Sequence, residues 1–362
     1  MPTRSCTSCP AKRVVVHGGE SFTRDHNAPR DTVRGMLAAL GVDTSCDDTG
    51  VGIVDLETGA ILANRVAQQD DIHAAFGGVV PERASRQHLA VIDATAEAAL
   101  HEAGVTRAEV ALVGATYGPG LVGALLVGLS WAKSFAWARG VPWLPVHHLE
   151  GHLAAAAPDE PQRHLALIAS GGHTSLFLVE PHGERITLGQ TLDDAAGEAF
   201  DKVARQLGLG FPGGPALSRL AEEGDAQAVD LPVPMQGKSG FDFSFSGIKT
   251  AVATRLERDP NLRHADVAAA FERVVVQAIV STVERAADTH GVDTVVVAGG
   301  VAANARLKAR LAASPLEVHV APMALATDNG AMVALAARAR KHEATMTEWS
   351  KDAVAYEPWA SG

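Results

Sequence analysis

The chain has 362 residues, 47% hydrophobic and 20% charged, with a net charge of −11. That composition suits a soluble globular chain of about two domains, and its acidity argues against a dedicated nucleic-acid or membrane-surface binder, whose footprint is basic. A nucleic acid held by a local patch or through a partner stays open. Three cysteines, Cys6, Cys9 and Cys46, are too few for a disulfide framework and point to a reducing, cytoplasmic setting.

Residues 1–35 stand apart, with six basic residues against three acidic and a net of +3, against −14 for the remainder. They lack the apolar run of a secretory signal, and Glu20, Asp25 and Asp31 count against a transit peptide. The segment reads as a disordered extension or as sequence upstream of the true start. Cys6 and Cys9 make half a zinc-knuckle spacing with no second pair.

From Met36 the pattern is strand, polar turn, strand: MLAALGVDTS, CDDTG, VGIVDLETG, then AILANRV. A helix follows in ERASRQHLAVIDATAEAALHEAG, with Leu89, Ile92, Ala96 and Leu100 at helical spacing. ALVGATYG reads as a buried strand and GLVGALLVGLSWAKSFAWA as a buried helix. Ser130 and Lys133 break that apolar run after about ten residues, short of the roughly 18–20 a membrane span needs.

The next segment, PVHHLEGHLAAA, places His148 and His152 at i and i+4, one face of a helix and a good pair of metal ligands. In the protease motif HExxH the glutamate follows the first histidine directly and stays near the metal. Here Glu150 comes two residues after His148, about 200° round the helix, and points away. The spacing supports a metal and opposes peptidase chemistry. His147 faces elsewhere and reads as structural.

Downstream the order recurs. HLALIAS, GGHT and SLFLVEP repeat strand, turn, strand; DDAAGEAFDKVARQLGLG is a helix; DTVVVAGG is a buried strand leading to the helix VAANARLKARLAA. Glycine turns stand at Ser170–Thr174, Pro212–Pro215, Gly299–Gly300 and Asp328–Gly330, where backbone amides can approach an anion. With no Walker-type loop, several such turns suggest a nucleotide cradled from several sides. The repeat suits an actin-like pair of α/β lobes with a nucleotide cleft between the lobes, with an ordinary doubly wound fold as the alternative. The lobes span 36–157 and 158–345, followed by a tail at 346–362. A third metal ligand must come from far away in sequence, and Asp328 is the best candidate, opening a helix after a short apolar strand. Its competing role is an N-cap.

GVDTSCDDTG, GGVVPERASRQH, GPGLVGALLVG, PVHHLEGHL, ASGGHTSL, DDAAGEAFDKVARQLGLGFPGGP, FDFSFSGIKTA, AGGVAANARL and ATDNGAMVA occur in order over about residues 40–340. Together they resemble the bacterial tRNA N6-adenosine threonylcarbamoyltransferases of the TsaD family, once described as O-sialoglycoprotein endopeptidases. The resemblance implies an actin-like (ASKHA) fold with duplicated subdomains and one divalent metal, Fe(2+) or Zn(2+), on His148, His152 and Asp328. It implies adenylate-binding positions at Ile168, Ala169, Ser170, Gly171, Gly172, Asp201, Gly214 and Asn304. The implied reaction carries a threonylcarbamoyl group from threonylcarbamoyl-AMP to N6 of adenosine 37, 3′ of the anticodon, in tRNAs reading codons that begin with A. The implied protein partners are TsaB and TsaE, and no membrane is involved. Asp48 is a candidate general base. The family commonly has Glu where this chain has Asp43 and Asp48, which shortens both side chains by one methylene and puts a detailed base assignment in doubt.

Three other readings compete. A small-molecule carbamoyltransferase on the same scaffold needs a further domain to make its carbamoyl-adenylate. An actin-fold ATPase without transfer activity has no need of the histidine pair, and a peptidase is opposed by the place of Glu150. Arg83, Arg86, Lys249 and Lys308 are candidate phosphate contacts, with surface solvation as the plainer role.

Overall fold

A computed structural model describes residues 14–16, 37–69, 73, 79–157, 162–181, 183–210 and 212–359. Most of the 1–35 extension, Cys6 and Cys9 included, lies outside the described residues. Its Val14–Val16 (β1) is a strand rather than disordered chain, pairing parallel with residues 318–320. A run of three β-branched valines favours that conformation.

Two compact units form, one of Gly18–Ala155 with Ala321–Trp359, the other of Met1–His17, Ala156–Val320 and Ala360–Gly362. A division at residue 157 in chain order therefore misplaces the segment from Ala321 onward, which packs with the first half of the chain.

In the first of these units, Ala38–Asp43 (β2), Thr49–Asp55 (β3) and Ile61–Ala67 (β4) form an antiparallel meander. Helix Pro81–Ala103 (α1) leads to Val110–Gly118 (β5), helix Val122–Arg139 (α2) and Trp143–His147 (β6), giving the sheet order β4-β3-β2-β5-β6. Its core gathers Leu40, Ile53, Ile92, Leu129 and Trp143. Leu89, expected on the buried stripe of α1, is 72% exposed, and the buried face instead carries Ala84, His88, Ile92 and Ala96. Nor is α2 wholly buried, since Leu126 and Trp137 are exposed.

The other unit repeats the plan. His164–Ala169 (β7), Thr174–Val179 (β8) and Arg185–Gln190 (β9) are antiparallel, and Thr294–Ala298 (β10) and Glu317–Val320 (β11) extend the sheet in parallel. The order β9-β8-β7-β10-β11 matches β4-β3-β2-β5-β6 strand for strand, with β1 added beside β11. Helices Ala196–Gln206 (α4), Gly213–Glu222 (α5), Ser246–Arg258 (α6), His264–His290 (α7) and Ala305–Ala312 (α8) accompany it. Phe200, Phe271, Leu165, Leu167 and Val295 lie in its core. The helix expected from Val301 begins only at Ala305, after a 3-10 turn over Gly300–Ala303.

Helix Gly330–Ala339 (α9) closes the first unit, and a row of glycines lets it do so. Gly52, Gly41 and Gly114 are neighbours across β3, β2 and β5. A Cβ on Gly52 would stand 2.1 Å from the Ala331 nitrogen, on Gly41 2.2 Å from that of Ala334, and on Gly114 2.7 Å from the Ala337 Cβ. Residues 331, 334 and 337 recur at helical spacing, so one stripe of small residues lies in the glycine trough. The chain beyond α9 straps the same unit: Trp143 and Thr345 exchange backbone hydrogen bonds, and Trp143 stacks on Trp349. Among the described residues no helix is long and apolar enough to cross a membrane.

Candidate functional site

His148–Ala154 (α3) is the short helix read from HLEGH, and His147 caps it by accepting from the Leu149 amide at 3.3 Å. His148 and His152 share one face with ring centroids 4.7 Å apart. Asp328 meets both, its Oδ1 lying 3.5 Å from His148 Nε2 and 3.2 Å from His152 Nε2. Asp328 neither caps nor opens α9. That helix starts at Gly330, and Asn329 is the cap, accepting from the Met332 amide at 2.9 Å. The Asp328 carboxylate is thereby left to the histidines.

These three side chains are a group able to hold one ion, with donor atoms all within 4.8 Å of one another. Donors about 2.1 Å from one ion at tetrahedral angles lie about 3.4 Å apart, so these two separations fit a shared divalent cation. The donor chemistry, two imidazoles and a carboxylate, suits iron or zinc and keeps a coordination position open. His152 Nδ1 is buried without a hydrogen-bond partner among the described residues. The Asp328 side chain is 30% exposed, which leaves an approach from solvent.

The electrostatics agree. Burial pushes the His148 imidazole toward its neutral form, but the Asp328 carboxylate and the hydrogen bond to Asp43 outweigh it and lift its pKa to about 9. Burial likewise opposes the Asp328 charge, yet His148 and His152 hold that carboxyl well below the usual carboxylate range. Without an ion the pocket therefore favours a proton on His148, for which a metal must compete. The Cys46 thiol is pushed far up by burial and by Asp47, Asp328 and Asp43, so it is no thiolate nucleophile.

Glu150 is not aimed at the histidines. Its Oε2 accepts from Arg340 Nη1 at 2.8 Å. Asp48, the candidate base, is half-buried in the β2–β3 turn beside Ser45 and Cys46.

The eight adenylate candidates lie together in the other unit, around the carboxyl ends of β7 and β10 and the starts of α5 and α8. Ile168 and Ala169 end β7 and are fully buried, while Ser170, Gly171 and Gly172 form the turn into β8. Gly197, in the first turn of α4, donates its amide to the Ser170 carbonyl at 3.1 Å. A methyl group on Gly171, Gly172, Gly214 or Gly300 would meet no described atom within 4 Å, so these turns border open space. Asp201 Oδ1 accepts from the Gly213 and Gly214 amides at 2.8 and 3.3 Å, pinning the start of α5. Its Oδ2 makes no hydrogen bond among the described residues. Asn304 caps α8 through the Leu307 amide at 2.8 Å and donates to Ser218 at 3.0 Å and Glu272 at 2.7 Å.

Sequence reasoning missed the residues that hold these groups. Asp43, Ser45 and Thr116 back the group of His148, His152 and Asp328, and Glu272 orients Asn304 and Arg306. The available signal was an acid in an apolar run, Asp43 in ALGVD and Glu272 in AAAFERVVV. Of the four basic candidates, Arg86 pairs with Glu82 and Lys249 with Asp194, Arg83 has protein partners, and Lys308 is half-buried.

The family model for TsaD, tRNA N6-adenosine threonylcarbamoyltransferase, matches residues 60–335. A tRNA N6-adenosine threonylcarbamoyltransferase of Thermus thermophilus is 53% identical over 305 residues, covering 84% of this chain and 93% of the relative. One of Bordetella pertussis is 50% identical over 318 residues, covering 84% and 92%. Among solved structures, the (R)-2-hydroxyglutaryl-CoA dehydratase component A of Acidaminococcus fermentans superposes with a TM-score of 0.53 at 18% identity, over 84% of this chain and 99% of that one. HypF of T. kodakarensis does so with a TM-score of 0.57 at 16% identity, over 86% of this chain and 48% of that one. These two likenesses concern the fold alone, which is actin-like. By the family match and by relatives identical at half their positions, the chain belongs to the TsaD family of tRNA N6-adenosine threonylcarbamoyltransferases.

Proposed function

We propose that the chain transfers the threonylcarbamoyl group of threonylcarbamoyl-AMP to N6 of adenosine 37 in tRNAs reading codons that begin with A. The observation that carries this reading is the convergence of buried His148 and His152 with half-buried Asp328 in a chain of this family. His148, His152 and Asp328 would hold a divalent ion, Fe(2+) or Zn(2+), which would supply Lewis-acid polarisation for the donor carbonyl. The turns at Gly171, Gly172, Gly214 and Gly300 hold the adenylate, with the amides of Gly171, Gly172 and Gly300 facing its phosphate. Asp201 Oδ2 accepts from the ribose hydroxyls, and Asn304 fixes the start of α8 beneath the nucleotide.

In the transfer, the adenosine N6 lone pair forms the new C–N bond and the anhydride C–O bond breaks, with AMP leaving. Asp48 takes the proton that N6 loses. AMP is a good leaving group, so no protein nucleophile is required, in keeping with the protonated Cys46 thiol. The ion pair of Glu150 with Arg340 argues against the peptidase reading, which needs a free glutamate at the metal. TsaB and TsaE are the proposed protein partners, and the cytoplasm the proposed setting.

Reconstitution tests this reading. Purified protein, threonylcarbamoyl-AMP and an unmodified tRNA are incubated with and without the two partners, and the digested tRNA is assayed for N6-threonylcarbamoyladenosine. Formation of that nucleoside, lost in His148→Ala, is expected. Absence of the nucleoside with both partners present, or full activity in His148→Ala, would overturn it.

A further inference from the structure

The metal triad rests on a second layer of side chains. His148 presents Nε2 to Asp328 and Nδ1 to the Asp43 Oδ1, at 3.4 Å. Asp43 ends β2 and is itself held on both oxygens: Thr116 Oγ1 donates to its Oδ1 at 2.5 Å and Ser45 Oγ to its Oδ2 at 3.0 Å. Thr116 is on β5, the parallel neighbour of β2, so the sheet itself delivers this donor. The same Ser45 hydroxyl lies 3.5 Å from Asp328 Oδ2. Asp43, Thr116 and Ser45 are 1%, 1% and 3% exposed, so water does not compete for these bonds.

We propose that Asp43, held by Thr116 and Ser45, is a positioning residue that fixes which nitrogen of His148 carries the hydrogen and so presents Nε2 to the ion. The inference rests on the reading of His148, His152 and Asp328 as a metal site. A buried carboxylate is a strong acceptor, so once an ion displaces the second proton the ring keeps its N–H on Nδ1 and turns its Nε2 lone pair to the ion. With the hydrogen on Nε2 instead, His148 has no lone pair for the ion. Charge points the same way. Asp328 and Asp43 bracket His148, and two carboxylates neutralise one divalent cation in a site with little solvent. Ser45 gives its one hydroxyl hydrogen to Asp43 while bordering Asp328, so the backing acid is fixed beside the ligand acid before an ion arrives. Glu150 has no part in this layer, being engaged by Arg340.

The test is titration of metal-free protein with Co(2+), with affinity from competition against a chromophoric chelator and the visible spectrum of the bound ion recorded. Asp43→Asn keeps the shape and loses the charge, and is expected to weaken Co(2+) about 10–100-fold, the range for outer-layer partners of metal ligands. Thr116→Val removes one donor to Asp43 and is expected to weaken it less, by about threefold, with a shifted spectrum. Both variants are compared with wild type for thermal unfolding in the metal-free state, and Thr116→Val decides the matter where Asp43→Asn does not fold. Wild-type affinity and an unchanged spectrum in a folded Asp43→Asn protein, or in Thr116→Val when it alone folds, would overturn the proposal while leaving the metal reading intact. Failure of the wild-type protein to bind Co(2+) would overturn the metal reading, and the proposal with it.

Discussion

At the scale of single residues, the sequence shows which side chains carry chemistry better than it shows what holds them. HLEGH placed two histidines on one helical face and its glutamate on another, and the Arg340 partner of Glu150 bears out that geometry. Asp328 had two competing roles on paper, ligand and cap. Asn329 takes the cap, one residue away, and no periodicity separates the two. This division of labour is testable. Asn329→Ala is expected to destabilise the protein by about 1 kcal/mol, the usual value of a cap, while keeping its metal. Asp328→Asn removes the charge that faces His148 and His152, so it is expected to lose stability in the metal-free state as well and to bind metal at least about tenfold more weakly. Urea unfolding and metal analysis of both variants check this, and metal loss in Asn329→Ala with retention in Asp328→Asn would reverse the assignment.

At the scale of elements, strands and their turns were legible because apolar runs bounded by Gly, Asp and Thr leave few alternatives. The 27-residue α7 is buried along most of its length, and its nearly continuous apolar pattern blurs the helical period that marks a surface helix. Leu89 shows the converse error: spacing alone put it on the stripe of α1, but the buried side is lined by Ala84, His88 and Ile92. The seating of α9 was written in the strands as Gly41, Gly52 and Gly114, but register is needed to see that they align. Gly52→Val is expected to force α9 off the sheet, since its Cβ would meet backbone rather than a movable side chain. A loss of about 3 kcal/mol or more is expected from overpacking of this kind. Because Asp328 lies on the segment entering α9, metal content should fall with it. A Gly52→Val protein with wild-type stability in urea and a full complement of metal would show that the close packing is not needed.

At the scale of the whole molecule, the repeated order of hairpin, helix, strand and helix was visible without any structure, and the two sheets repeat it strand for strand. What chain order hid is that the polypeptide returns to its first unit after Val320, bringing Asp328 to histidines nearly two hundred residues earlier. The chemistry of a missing third ligand and the family resemblance of ATDNGAMVA both pointed there. The account as a whole stands on a metal-dependent transfer by a chain of the TsaD family. Its most direct test is the yield of N6-threonylcarbamoyladenosine in tRNA from protein stripped by a chelator and then reloaded with Fe(2+) or Zn(2+), with donor and partners supplied. The account predicts loss of the nucleoside on stripping and its return with the ion in wild type, without return in Asp328→Asn. Undiminished modification by the metal-free protein would contradict it.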